Sequence, residues 1–181
     1  YQLRLVAPFR LVYNESNFSI ELNLNIEEGY QMTAFEPKLD DDCIFCKIIK
    51  GDIPSYTIYE DDMVKAFLDI SQGTPGHTLV IPKTHVADIF DYDRDLASLV
   101  FARIPEIARA IKASDDRIIG MNIVNNNGAV AYQSVFHSHF HLIPRYSDKD
   151  DFRMIFKDNA KKYDETDYTR LQNAIKTELA H

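Results

Sequence analysis

Residues 133–144 read Gln133-Ser134-Val135-Phe136-His137-Ser138-His139-Phe140-His141-Leu142-Ile143-Pro144, and three of the chain's six histidines stand here at every second position. Phe136, Phe140 and Leu142 occupy the alternate positions, with Ser138 between them. Such alternation is the period of a strand, whose successive side chains point to opposite faces. The spacing predicts a strand with His137, His139 and His141 on one face and the apolar set packed into a core. Neighbouring imidazoles would then stand about 6.6 Å apart, two residues at a rise of roughly 3.3 Å each. A row of this kind suits groups that share one polyanionic substrate or one metal.

Imidazole has an ordinary pKa of about 6.5, so near neutrality much of it is uncharged and able to attack without a separate base. The same ring can donate a proton or, when charged, hold phosphate oxygens, and histidine forms covalent intermediates. Three rings on one face could divide these tasks.

Four further motifs lie around this stretch in fixed order. They are Cys43-Ile44-Phe45-Cys46-Lys47-Ile48-Ile49, Phe67-Leu68-Asp69-Ile70, the run from Gly76 to His85 (Gly-His-Thr-Leu-Val-Ile-Pro-Lys-Thr-His), and Asn125-Asn126-Asn127-Gly128. With His-x-His-x-His they resemble the histidine triad (HIT) family, in particular its bacterial Hint-like nucleoside phosphoramidase branch, across the Cys43-to-Arg145 region. The resemblance implies a hydrolase that cleaves nucleoside 5'-phosphoramidates or related nucleotidyl compounds. It implies His139 as the nucleophile of a nucleotidyl–histidine intermediate and His141 as a contact on the phosphate side. His77 matches a supporting histidine, Ser134 and Gln133 match polar contacts to phosphate or leaving group, and Asn126 matches an asparagine that reaches the phosphate. Taken singly, each of these four could equally be an ordinary polar group of a strand or loop.

For the nucleoside, Asp69 is the candidate for the ribose hydroxyls, since a carboxylate can accept two hydrogen bonds. Ile44, Phe45, Ile48, Phe67 and Ile70 are candidates for an apolar slot around the base, with membership of a plain core as the alternative. The expected partner is a purine nucleotide or nucleoside phosphoramidate. Physiological substrate, leaving group and base preference stay open. The family pattern has glycine where this chain has Tyr132. Glycine lets backbone approach a ligand closely, so tyrosine here could narrow the leaving-group side or stack on a base.

Cys43 and Cys46 are too close in sequence for a useful disulfide staple and have the spacing that opens many zinc sites. By resemblance to family members with this cysteine pair, His85 and His137 complete a structural zinc site, with no cofactor needed for the chemistry. A Cys2His2 set has no open position. Two free buried cysteines are the alternative.

Composition narrows the rest. At 181 residues, with 45% hydrophobic and 27% charged residues, the chain has the make-up of one globular domain. Its net charge is −8 and no Lys/Arg cluster stands out, which argues against nucleic-acid binding. No apolar run reaches the length of a membrane span and no signal peptide is evident, so a reducing cytoplasm is the expected location.

The element order is strand-rich with one long helix rather than a regular βαβ repeat. That predicts an α+β fold with an antiparallel sheet of about five strands, a short N-terminal helix, one long helix and a C-terminal helix. Asp42 is the expected cap of a helix from Cys43 to about Lys50, ended by Gly51. Residues 57–59 and 64–69 read as a hairpin, 77–82 and 118–124 as strands, 93–113 as the long helix with Pro105 inside, and 167–180 as the terminal helix.

Residues 1–31 lie outside the resemblance. Glu27-Glu28-Gly29 would be encoded by a purine-rich tract ahead of Met32, so 1–31 are expected to be a non-native or disordered leader. A real extension adding an edge strand is the alternative. A HIT domain over 32–146 and an extension over 147–181 follow. The resemblance implies a homodimer paired through the long helix and an adjoining strand, and Phe101 and Ala97 lie off that helix's main apolar stripe. Three rival functions remain: a metal-dependent hydrolase with His137, His139 and His141 as a zinc site, a dinucleoside polyphosphate hydrolase, and a nucleotide-binding regulatory module.

Overall fold

The structure, a computed structural model, describes residues 37–179 and, before them, the backbone of residues 10–14 and 17–21. The chain divides into two units, Tyr1–Glu36 and Pro37–His181. In the first, β1 (Arg10–Asn14) and β2 (Asn17–Glu21) form an antiparallel hairpin with Leu11 opposite Ile20. The remainder of the expected leader, and Met32, lie outside the described residues.

In the second unit, α1 (Ile44–Lys50) leads into the hairpin of β3 (Thr57–Glu60) and β4 (Val64–Leu68). Then come β5 (Thr78–Pro82), α2 (Arg94–Ser114), β6 (Gly120–Asn125), β7 (Phe140–Arg145) and α3 (Glu165–Leu179). The five strands form one sheet in the order β3-β4-β5-β7-β6, antiparallel throughout. The fold is α+β with about the expected complement of strands and helices.

Both faces of the sheet are covered, and the strand alternation sorts its residues between two cores. Val64, Ala66, Val80, Phe140 and Leu142 pack with Leu96, Val100, Ile104, Ile107 and Ile111 of α2. Phe67, Leu79 and Ile81 pack with Cys43, Phe45, Cys46 and Ile48 at α1. Central strands buried on both faces need unbroken apolar runs, and β5, Thr-Leu-Val-Ile-Pro, is buried along its whole length. The α2 helix starts where the Asp93 carboxylate accepts from the Leu96 N–H at 2.7 Å, and it continues through Pro105.

Three expectations are corrected. Cys43, not Asp42, occupies the cap position of α1, with no side-chain capping bond; the Asp42 N–H instead donates to the Asp40 carboxylate at 2.8 Å. Gly51 does end the helix, in the left-handed conformation with φ 85°. The histidine strand is shorter than its alternation predicts: β7 begins at Phe140, so only His141 of the three lies in it. The backbone before it finds other partners. The Ser138 N–H donates to the Val86 carbonyl at 2.7 Å, and the Asn125 side-chain amide donates to the His139 carbonyl at 2.9 Å. Released from strand geometry, Phe136 is half-exposed and not core, whereas Ser138 is fully buried.

The α3 helix exposes Tyr168, Leu171, Ile175 and Leu179. Among the described residues no helix is long and apolar enough to cross a membrane.

Candidate active site

The register of the sheet places the chemistry on the α1 side. Leu79 lies opposite His141, and Leu79 belongs to the α1 core. Phe45 of α1 rises against the histidines, its ring 5.3 Å from that of His139 and 5.9 Å from that of His137, edge to face.

His137 and His139 have separate surroundings. The Nε2 of His137 lies 2.9 Å from the Pro82 carbonyl oxygen, which can only accept, so this nitrogen carries the proton. The bare Nδ1 then faces the Sγ atoms of Cys43 and Cys46, each 3.5 Å away. His85 Nδ1 lies 3.4 Å from Cys46 Sγ, and all four donor atoms lie within 4.8 Å of one another. In a tetrahedral zinc site with bonds of about 2.3 Å to sulfur and about 2.05 Å to nitrogen, sulfur and nitrogen stand about 3.6 Å apart. The observed separations match that edge. Outer contacts orient the ligands as well: the Asp40 N–H donates to Cys46 Sγ at 3.4 Å, and Asp40 Oδ2 lies 3.8 Å from His85 Nε2. Burial pushes the Cys46 thiol up to about 11, with neighbouring Cys43 adding to the effect, so only a bound cation makes its thiolate favourable. The expected set Cys43, Cys46, His85 and His137 is thus brought together and can hold a metal.

His139 is 3% exposed. Its Nδ1 donates to the His137 carbonyl at 2.7 Å, which leaves Nε2 with its lone pair. Burial lowers the pKa of His139, against a partial opposing pull from the His137 carbonyl and Asp69, and favours the neutral nucleophilic ring.

His141 is oriented through His77. The Gly73 N–H donates to His77 Nδ1 at 3.3 Å, so His77 Nε2 carries the proton and donates to His141 Nδ1 at 2.9 Å. That assigns the remaining proton of His141 to Nε2. The ring centroids of His139 and His141 are 4.9 Å apart. Burial, then the rings of His139 and His77, push His141 down to about 4. Burial also lowers His77, which Asp69 partly offsets.

The three alternating histidines do not form one ligand set: among the described residues His137 groups with the cysteines and His141 with Asp69 and His77. This removes the three-histidine metal site.

The remaining predicted residues divide. Asp69 is half-buried, with Oδ1 accepting from the Ser71 N–H at 2.8 Å. Ser134 is exposed and Asn126 half-buried. Gln133 is buried and committed to its loop: Oε1 accepts from the Gly128 N–H at 2.7 Å, and Nε2 donates to the carbonyls of Ala87 at 2.6 Å and Val135 at 3.2 Å. Its amide braces the loop that leads into the histidines. Of the apolar slot residues, Phe45, Ile48 and Phe67 are core members, while Ile44 and Ile70 are exposed. Tyr132 is exposed with φ 66°, the backbone conformation that glycine adopts freely. The reading of single residues passed over Asn125, whose amide holds the His139 carbonyl, although it opens the Asn-Asn-Asn run.

Comparison with known proteins places the chain in a family. The HIT domain family model matches residues 50–148. A crystal structure of a HIT family member from Bacillus subtilis is 50% identical with a TM-score of 0.73, covering 76% of this chain and 96% of that one. Adenosine 5'-monophosphoramidase HNT1 of Candida albicans is 35% identical over 76% of this chain and 91% of its own length. A zinc-bound histidine triad family protein from Mycobacterium smegmatis is 39% identical with a TM-score of 0.58, covering 74% and 97%. A buried histidine with its lone pair free, a second histidine proton-loaded beside it and a Cys/His cluster behind them sit on a sheet shared with these structures, and the chain belongs to the histidine triad family.

Proposed function

We propose that the protein is a nucleotide hydrolase that cleaves adenosine 5'-phosphoramidates or related nucleotidyl compounds and releases the nucleoside monophosphate. The observation that carries this reading is the His139 Nδ1–H bond to the His137 carbonyl at 2.7 Å, which leaves Nε2 of a buried, neutral imidazole free to attack. The Candida albicans relative's name supports the substrate class.

In the first step His139 Nε2 bonds to the α-phosphorus while the bond from phosphorus to the leaving nitrogen breaks. His141 Nε2–H gives its proton to that nitrogen, so a neutral amine leaves. The His77 Nε2–H stays hydrogen-bonded to His141 Nδ1 and stabilises that ring as it gives up its proton, and the cationic phosphorylated ring of His139 beside it offsets the charge until water returns the proton. In the second step water attacks phosphorus, its proton passes to His141, and the N–P bond to His139 breaks. Two displacements replace one difficult step. Asp69 Oδ2 accepts from the ribose hydroxyls, Ser134 and Asn126 hold phosphoryl oxygens, and Ile44 and Ile70 offer apolar surface for the base, backed by Phe45, Ile48 and Phe67.

We also assign zinc to Cys43, Cys46, His85 and His137. When bound, the ion ties α1 to the segment carrying the nucleophile and takes no part in the reaction. The S···N separations and the zinc-bound Mycobacterium smegmatis neighbour support this.

Rapid quenching during turnover of an adenosine phosphoramidate, followed by peptide mass spectrometry, tests the reading. An adenylyl group on His139 is expected. Adenylylation at another residue, or hydrolysis with no acid-labile adduct under single-turnover conditions, rejects the nucleophile assignment.

A further inference from the structure

A second cluster of ligand-type side chains lies beside the nucleophile. Asp69, His77 and His141 each place one donor atom within 4.8 Å of the other two. Three neighbouring strands bring them together: Asp69 follows β4, His77 precedes β5 and His141 stands in β7. The Asp69 N–H donates to the His77 carbonyl at 3.0 Å and holds the strand ends in register. His77 Nε2 lies 2.9 Å from His141 Nδ1 and 3.8 Å from Asp69 Oδ2. Because Asp69 Oδ1 is taken by the Ser71 N–H, Oδ2 is the oxygen left facing the imidazoles. The side chains of His77 and Asp69 are only 8% and 16% exposed, so their placement is fixed by packing.

Donors in a tetrahedral zinc shell stand about 3.3–3.4 Å apart. The two imidazole nitrogens need to part by about 0.4 Å to reach that separation. We infer that Asp69, His77 and His141 form a second zinc site, of the open three-ligand kind, whose occupation excludes nucleotide. Two imidazoles and one carboxylate suit zinc, and water completes the shell.

Occupation needs lone pairs on His77 Nε2 and His141 Nδ1 together, whereas the metal-free contact shares one proton between them. The His77 proton moves to Nδ1, which gives up the bond from the Gly73 N–H and turns to the Ser71 backbone, a contact that favours the protonated ring. That outer contact is the kind metal-bound histidines have. Both rings stay neutral and no proton is released. His141 loses the hydrogen bond that orients it, and Asp69 is withdrawn from the ribose. The effect on nucleotide rests on the hydrolase reading above; the metal uptake does not.

Protein with its cysteine site filled by zinc is titrated calorimetrically with zinc chloride, with and without AMP. A second equivalent per chain is expected, weakened at least about tenfold by His77→Gln or Asp69→Asn. Saturating AMP should weaken it in wild type. Zinc content and circular dichroism check that each variant keeps its first metal and its fold; should His77→Gln fail to fold, Asp69→Asn carries the test. No second equivalent at millimolar zinc overturns the inference. So does uptake that the folded variant leaves unchanged, which places the ion elsewhere. Uptake sensitive to the variants but not to AMP supports the site and counts against the nucleotide reading.

Discussion

The carbonyl oxygen of His137 accepts the Nδ1 proton of His139 at 2.7 Å, while the ring of the same His137 points its bare nitrogen at two cysteines. One residue therefore joins the Cys/His cluster to the tautomer of His139. Disturbing the cluster should reach the chemistry through that carbonyl.

Protein purified from metal-replete cells should carry one zinc per chain in the cysteine site. Cys43→Ser should lower the melting temperature, since closed zinc sites contribute folding energy. It should also reduce turnover through the His137 carbonyl. Elemental analysis and thermal melts check this. A zinc-free preparation never exposed to chelator, with full stability, would refute it.

His139→Ala should preserve the fold and remove at least about 99% of turnover, a loss of roughly 2.7 kcal/mol or more of transition-state stabilisation at 1.36 kcal/mol per tenfold. Steady-state rates on an adenosine phosphoramidate decide, with circular dichroism as the control. Higher residual activity means that water attacks directly.

The pH dependence has a definite sign. Burial lowers His139 and pushes His141 down to about 4, against an ordinary value near 6.5. Between pH 6.5 and about 4 the unfolded chain binds protons at these rings that the folded chain does not, so stability rises with pH in that window and falls on acidification. For His141 alone the full difference is about 3 kcal/mol. The acid limb of kcat/KM should lie below pH 6.5 for the same reason. An acid limb at or above 6.5, or stability independent of pH across the window, contradicts the burial argument.

How far these features were legible in the sequence depends on how local their causes are. Buried β5 announced itself as an apolar run, and α2 by its helical period, because local pattern and tertiary burial agree there. The alternation of His137, His139 and His141 overstated the strand. It carries no record of Val86, in the loop after β5, or of Asn125, at the end of β6, whose groups capture that backbone. The same holds for Gln133: family resemblance marks it as a polar contact of the site, and only the fold brings Gly128 and Ala87 to its amide. The grouping of Cys43, Cys46, His85 and His137 was legible only through family motifs, since nothing in the spacing of Cys43 and Cys46 points to His85 or His137.

Tyr132 adopts φ 66°, which costs a non-glycine residue roughly 1–2 kcal/mol. Tyr132→Gly relieves that cost but frees the unfolded chain by about 0.4–1 kcal/mol, so stability should change by less than about 1.5 kcal/mol. If the ring narrows the leaving-group side, the glycine variant should gain most on phosphoramidates of bulky amines. Denaturant melts and kcat/KM ratios for bulky against small amines measure both effects. An unchanged ratio would assign Tyr132 no part in selectivity.

Pairing of two chains is predicted at the β6 edge. β6 ends the sheet, and Ile123 and Phe101 are both half-exposed. Ile123 lies opposite Leu142, and the Phe101 ring packs 5.2 Å from that of Phe140, so both belong to the α2 side of the sheet. They make apolar surface beside an unpaired strand edge, which a two-fold mate would cover twice. Light scattering at micromolar concentration should give twice the 20.9 kDa chain mass. Ile123→Lys should shift the mass toward one chain without unfolding it. It is the better probe than Phe101→Glu, which also breaks a core contact with Phe140. A wild-type mass of one chain excludes the pairing, and a dimer untouched by Ile123→Lys moves the interface away from β6.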